Sequence, residues 1–312
     1  MASTDKEQRG AGGGRFDPTA RSQPAASSGR RDQTGRPSRR DPSGGPQRRN
    51  AAGRSQGAVR AERRDQGERH EPTGRSADQQ RYDGPELPAD ISGRELDPAV
   101  RRALRGLPDK LAERVARHLV AAGRVFDDDP ETAYQHTLAA RSRAARLAVV
   151  REACAEAAYA AGHYAEALAE FRAVRRMTGV ADYLPVIADC ERALGRPDWA
   201  LQIARDPAIA TLDAAGQAEM QIVAAGARRD LGQPAAAALA LAGPARRARS
   251  RTPAATRLRY AYADALLASG DAEAALEWFH RAAGSDTEGL TDAVARAAAL
   301  EGLELSDTSA LE

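Results

Sequence analysis

Four glycines recur through the second half of this 312-residue chain, at spacings of 33, 37 and 38 residues. Each glycine has one alanine seven residues before it and another five residues after it. The sets are Ala155, Gly162 and Ala167; Ala188, Gly195 and Ala200; Ala225, Gly232 and Ala237; Ala263, Gly270 and Ala275. A period in this range is typical of arrays of helix pairs.

The three positions of this pattern have separate physical roles. Glycine ends the first helix of a pair, where the left-handed conformation costs least. The alanines are expected where the paired helices cross, because small side chains let the two axes approach closely. Four residues past the second alanine stand Phe171, Ala204, Leu241 and Phe279, which we expect to pack against the next pair. One pair cannot bury its apolar stripe alone, so the pairs must stack.

At these positions the chain resembles the tetratricopeptide repeat, over about residues 147–286. The closest matches are segments 155–171 and 263–279, which have Ala, Gly, Ala and Phe in register. In the second and third repeats, Pro197 and Pro234 begin the second helix and the aromatic residue is missing. We therefore expect the array to be irregular in its middle. The whole chain is also similar to a group of actinobacterial tetratricopeptide proteins with no assigned activity.

The N-terminal part of the chain has a different composition. Residues 1–90 contain 18 basic and 13 acidic residues, which leaves 28 basic and 31 acidic residues for the rest. Burying its few large apolar side chains recovers roughly 1.5–3 kcal/mol each. Ordering the backbone costs about 1–2 kcal/mol per residue, so we expect a disordered segment. These apolar residues are Met1, Phe16, Val59, Tyr82 and Leu87.

The predicted fold class is all-α: a tetratricopeptide-like superhelix, or solenoid of helix pairs, preceded by a disordered tail. The tail spans residues 1–92, and a helical lead-in with a degenerate pair spans 97–145. The repeats span 147–303, with a last helix near 291–300, and residues 304–312 form a C-terminal tail. Asp97 followed by Pro98, and Asp129 followed by Pro130, are typical of helix starts.

No pattern in the sequence indicates catalysis. Residues 53–57 match the nucleophile elbow, but that motif needs a strand-to-helix turn and here lies in the tail. The five histidines are scattered without zinc-ligand spacing. Cys154 and Cys190 lie in apolar helical stretches and are interpreted as small core residues. We therefore predict that the protein is not an enzyme and has no cofactor and no metal.

Two further observations concern location. No apolar run approaches the roughly 18 residues that a membrane-spanning helix needs, and the N-terminus has no apolar signal region. Two cysteines in apolar stretches give no disulfide framework. The sequence thus predicts a cytoplasmic protein that does not use a membrane as a partner.

The resemblance implies that the first helix of each pair lines a concave groove. Aligning the repeats on their glycines then predicts a set of groove residues. They are Glu152, Glu156, Tyr159, Asp189, Arg192, Glu219, Arg229, Arg257, Tyr260 and Asp264. Acids recur at the ninth position of the helix in three repeats of four, which disfavours a C-terminal carboxylate as ligand. We expect a protein or peptide partner of basic or mixed charge. The alternative is that these residues are solvated faces of amphipathic helices.

The predicted function is a non-catalytic scaffold or adaptor that binds its partner through this groove. Arginine doublets in the tail suggest an alternative, an RNA- or ribonucleoprotein-associated protein held by weak phosphate contacts. Phe16 and Tyr82 are the tail's two candidates for stacking on bases, so selective recognition is not expected. Two other hypotheses stay open: a tail with no specific partner, and a tail that folds back onto its own acidic groove.

Overall fold

The computed structural model describes residues 83–248 and 251–302, and within these ranges it contains helices and turns but no strand. Twelve α-helices lie wholly within them. They are α1 (Pro98–Leu104), α2 (Asp109–Val125), α3 (Pro130–Ala144), α4 (Ala148–Ala160), α5 (Tyr164–Thr178), α6 (Leu184–Ala193), α7 (Pro197–Ile203), α8 (Ala214–Asp230), α9 (Pro234–Arg247), α10 (Pro253–Ala268), α11 (Ala272–Ala283) and α12 (Ala293–Leu300).

The helices pack as consecutive pairs, α2 with α3, α4 with α5, α6 with α7, α8 with α9 and α10 with α11. Each pair contacts the next one, and α12 covers the last pair. The predicted all-α solenoid of helix pairs is therefore confirmed. The predicted disorder of residues 1–82 and the predicted tail at 304–312 lie outside the described residues.

The glycines that define the repeat end the first helix of each pair. Their φ angles are 78° at Gly162, 73° at Gly195, 72° at Gly232 and 92° at Gly270. After each glycine, the next N–H donates to the carbonyl five residues earlier, at 2.8–3.0 Å. A Cβ built on any of the four would meet no described atom within 4 Å. Backbone conformation, and not packing, therefore requires glycine at these turns.

The repeat alanines are part of the core between the helices. All eight are buried, with exposed fractions between 0% and 2%. Phe171, Leu241 and Phe279, four residues past the second alanine, are buried too, at 3%, 1% and 0%. Phe171 packs in a core cluster shared by α2 to α6, and Leu241 and Phe279 pack in a second cluster shared by α8 to α12.

The second repeat is irregular, in agreement with the sequence. Its second helix, α7, has seven residues, and Ala204 is only its C-cap. A 3₁₀ helix at Pro207–Thr211 follows instead of a further helical turn. Asp206 caps the N-terminus of that 3₁₀ helix and accepts a hydrogen bond from Arg175 Nη2 at 2.8 Å. The third repeat keeps a second helix of 14 residues, although Pro244 lies inside it.

Two buried glutamates form ion pairs that connect successive helix pairs. Glu170 of α5 is 6% exposed and accepts from Arg141 Nη1 of α3 at 2.8 Å and from Arg151 Nη1 of α4 at 2.6 Å. Glu191 of α6 is 2% exposed and pairs with Arg172 of α5 and with Arg196 Nε at 2.7 Å. Each glutamate thus ties one pair of helices to the neighbouring pair.

Residues 83–92, at the end of the range assigned to the tail, lie against the helices. Ile91 is 2% exposed and packs with Val120 and Ala121 of α2, and Leu87 packs beside them. A Cβ on Gly84 would lie 2.5 Å from Ala139 Cβ, so its backbone touches α3 directly. The packed body therefore begins before α1.

A buried histidine pair lies beneath Gly84. His118 of α2 and His136 of α3 are 0% and 4% exposed, and their Nδ1 atoms are 3.1 Å apart. Burial, together with the nearby cationic groups of His136, Arg143, Arg114 and Arg117, lowers the pKa of His118 to about 3. Burial also lowers the pKa of His136. Both imidazoles are therefore neutral in the folded protein at neutral pH.

Replacing Gly270 by alanine is expected to destabilise the protein by about 1–2 kcal/mol, because an L-residue must adopt the left-handed conformation there. Gly106→Ala is the matched control, because it also has open space around it and its φ lies outside the left-handed region. Urea denaturation followed by circular dichroism measures both variants. Equal losses of stability in the two variants would show that the positive φ angle is not what requires glycine at position 270.

The histidine pair predicts a loss of stability in acid. The unfolded chain binds protons near the ordinary histidine pKa of about 6.5, whereas folded His118 does so near 3. Stability is thus full above pH 6.5 and falls as the pH drops toward 3, by about 2 kcal/mol between pH 7.5 and 5 for His118 alone.

Denaturation at several pH values tests this dependence. The double variant His118→Leu, His136→Leu removes both polar partners together and is expected to flatten the curve between pH 5 and 7.5. His280→Gln, at an exposed site beside Glu301, serves as control and should not flatten the curve. If the stability of the double variant kept the native dependence on pH, the histidine pair would not be its cause.

Candidate partner-binding groove

The predicted groove residues lie on the first helices of four successive pairs, α4, α6, α8 and α10. Nine of them are half-buried and one, Arg229, is exposed. Successive first helices therefore carry polar side chains that are neither in the core nor fully solvated. What these side chains contact decides whether the surface is available to a partner.

Two tyrosines connect α4 to the second repeat. The Tyr159 hydroxyl donates to Asp189 Oδ2 of α6, and the Tyr183 hydroxyl donates to Glu152 Oε1 of α4 at 2.7 Å. Burial raises the pKa of Tyr159 well above its usual value, and the neighbouring Asp189 charge raises it further. Tyr159 therefore acts as a neutral donor and adds no charge of its own beside Asp189.

Arg192 connects α6 to α8. Its Nη1 donates to Asp189 Oδ1 and its Nε to Asp230 Oδ2, both at 2.8 Å. Burial opposes its charge, but the hydrogen bonds and charges of Asp230 and Asp189 raise its pKa overall. A Cβ built on Gly226 would lie 2.5 Å from Arg192 Cζ, so the guanidinium rests on the bare backbone of α8.

Two ion pairs connect α8 to α10. Arg257 Nη2 donates to Glu219 Oε1 at 2.5 Å, and Arg229 pairs with Asp264. Arg296 Nη2 of α12 donates to the other oxygen of Asp264 at 2.9 Å. Burial raises the pKa of Glu219, although the charge of Arg257 acts in the opposite direction.

Tyr260 completes the set on α10. Its ring packs edge-on against Phe279, with centroids 5.5 Å apart. Burial raises its pKa above the usual value, and a hydrogen bond with Asp292 raises it further. Glu156 is half-buried and stands one turn before Tyr159 on the same side of α4.

Most of the predicted residues thus form one ladder of polar contacts that runs from α4 to α12. Sequence reasoning missed Tyr183, Asp230, Arg296 and Gly226 as members of it. Gly226 carried a signal, because it stands six residues before Gly232, where the other repeats have Glu156, Asp189 and Asp264. The gap in the acid row is where the Arg192 guanidinium lies.

The part of the chain that the structure describes offers no other chemistry of the kinds that metal ions or membranes require. Among the described residues, no three or more His, Cys, Asp or Glu side chains form a group able to hold a metal ion. No helix in residues 83–248 or 251–302 is long and apolar enough to cross a membrane. Cys154 and Cys190 are both 0% exposed, and burial raises the pKa of Cys190 to about 12, which agrees with core residues.

Comparison with known proteins adds no relative. No protein-family model matches the sequence, and a search of curated proteins finds no significant match. The fold and the ladder therefore define the class, an α-helical solenoid with a polar surface along its first helices. The resemblance to tetratricopeptide repeats rests on the repeat positions described above.

A double-mutant cycle tests the contact between Arg192 and Gly226. In an Arg192→Ala background, Gly226→Ala is expected to stabilise α8 by up to about 1 kcal/mol, because alanine favours helix over glycine. In the native background the methyl group displaces the guanidinium from Asp230, so the gain should vanish or become a loss.

Chemical denaturation measures all four proteins of the cycle. Gly243→Ala in α9 is the control, because its methyl group would lie 3.0 Å from Arg247 Nη1 and has no part in the ladder. Its effect should be the same in both backgrounds. If Gly226→Ala also had the same effect in both, the guanidinium would not rest on Gly226.

Proposed function

We propose that the chain is a non-catalytic cytoplasmic scaffold of the tetratricopeptide type, which binds a polypeptide segment with basic residues across the first helices of its repeats. The observation that carries this proposal is the unequal distribution of charge along the ladder. At the end formed by α4 and α6, the predicted set has three carboxylates, Glu152, Glu156 and Asp189, and one guanidinium, Arg192.

The other end of the ladder is more nearly balanced. Among the ion-paired residues between α8 and α12, three carboxylates, Glu219, Asp230 and Asp264, stand beside three arginines, Arg229, Arg257 and Arg296. A lysine or arginine of a bound segment is therefore favoured at the α4–α6 end, where Glu152 accepts a hydrogen bond from the Tyr183 hydroxyl. Tyrosine beside charged groups is also typical of interface residues that contribute strongly to binding.

Panning a random-peptide library against the full chain tests the proposal. We expect the selected peptides to be rich in Lys and Arg. Their affinity should fall by roughly tenfold or more for the double variant Glu152→Gln, Glu156→Gln, because charge-assisted contacts are lost. Fluorescence anisotropy with the selected peptides measures the loss.

The matched control is Asp127→Asn, Asp128→Asn, which also removes two negative charges, here at an exposed turn between α2 and α3. It should leave affinity close to the native value. Peptides that bind both double variants equally well, or a library that yields no binder, would overturn the groove proposal. The alternative of RNA binding through the tail concerns residues outside the described ranges and stays a hypothesis.

A further inference from the structure

A second polar surface lies between the C-terminal end of α9, the helix α10 and the last turn of α11. It is a cleft of about 400 Å³, and four arginines line it: Arg246, Arg251, Arg259 and Arg281. Arg259 is two residues from Arg257, so it leaves α10 about 200° away from the groove side. The cleft is therefore separate from the groove and does not rest on the function proposed for it.

Two of the arginines are held in place. Arg259 is 9% exposed, and its Nη2 donates to the carbonyl of Ala248, the C-cap of α9. The guanidinium of Arg281 lies 4.5 Å from the Trp278 ring centroid and also donates to Glu277. Arg259 and Arg281 thus have positions fixed by the fold before any ligand binds.

The arginines are close enough to repel each other. Burial lowers the pKa of the Arg259 guanidinium, and the charges of Arg251 and Arg281 lower it further. Like charges gathered at a partly buried site cost free energy, and an anion between them removes that cost. Planar guanidinium groups also match the geometry of phosphate oxygens.

Compensation of helix dipoles accounts for part of this cluster. Arg246 lies in the last turn of α9 and Arg281 in the last turn of α11, where cations are favourable. Arg259 lies in the middle of α10, and Arg251 precedes that helix. The dipoles of α9 and α11 do not explain why these two side chains reach the same cleft.

We propose that this cleft binds a phosphate group, either as the free anion or as a phosphomonoester on another polypeptide, through Arg251, Arg259 and Arg281. Single-stranded nucleic acid is disfavoured. Trp278 is 6% exposed and Arg281 covers its ring, so it offers no platform on which a base could stack. The arginines also line one compact cleft, whereas a nucleic-acid backbone requires a positively charged path along the surface.

Binding to the full chain is measured by fluorescence anisotropy with a labelled phosphoserine peptide and its serine counterpart. We expect the phosphorylated peptide to bind roughly tenfold more tightly or better. Inorganic phosphate should compete, and chloride at equal ionic strength should not. Competition by inorganic phosphate without any preference for the phosphopeptide would identify the free anion as the ligand.

The variant Arg251→Gln, Arg281→Gln should lose this binding, and its circular dichroism and thermal midpoint verify folding. Arg101→Gln, Arg102→Gln in α1 removes the same charge at exposed positions and should bind like the native protein. If both double variants lost phosphopeptide binding equally, overall charge would explain the effect and the proposal would be overturned. The proposal would also be overturned if an RNA oligonucleotide bound more tightly than the phosphopeptide and the cleft variant abolished that binding.

Discussion

Alanine at the helix crossings determines how this stack must be held together. Ala155 and Ala167, like the other repeat alanines, let the paired helices approach closely and leave few carbon atoms to bury. Each buried methyl or methylene group contributes about 0.8 kcal/mol, and methyl groups alone do not fix how far one helix slides along the next. The register between pairs therefore depends on the larger buried side chains, such as Phe171 and Phe279, and on directional polar contacts. These run along both sides of the array, through Glu170 and Glu191 on one and through the groove ladder on the other.

The ladder has a consequence for recognition. Asp189, Arg192 and Asp264 are already paired within the chain, so a partner must exchange these contacts or bind beside them. Exchange preserves the number of ion pairs and gives little net affinity, because each new pair replaces an old one. Net affinity is therefore expected where carboxylates outnumber guanidinium groups, at the α4–α6 end. Specificity along the rest of the groove then comes from shape and from the tyrosine rings.

The sequence was sufficient to predict the pairs, because glycine with positive φ and buried alanine are local requirements that leave a trace at fixed spacing. It also predicted the irregular second repeat, where Ala204 replaces a bulky residue and α7 is short. It did not predict that the groove residues pair with each other. Arg192 reaches Asp230 across 38 positions of the chain, and only the stacking of α6 against α8 brings them together. The packing of Ile91 and Leu87 on α2 was missed for the same reason.

Helix α10 shows how one element can separate two kinds of charge. Arg257 and Asp264 lie on the groove side with Glu219 and Arg296 as partners, so that side is nearly neutral. Arg259 lies on the other side, where burial and the like charges of Arg251 and Arg281 all disfavour its charged form. This helix of 16 residues thus has one face whose charges are compensated and one basic face. Solvation alone does not explain why like charges surround a buried guanidinium. An anion in the cleft would give the basic face the compensation that the groove face obtains from its own carboxylates.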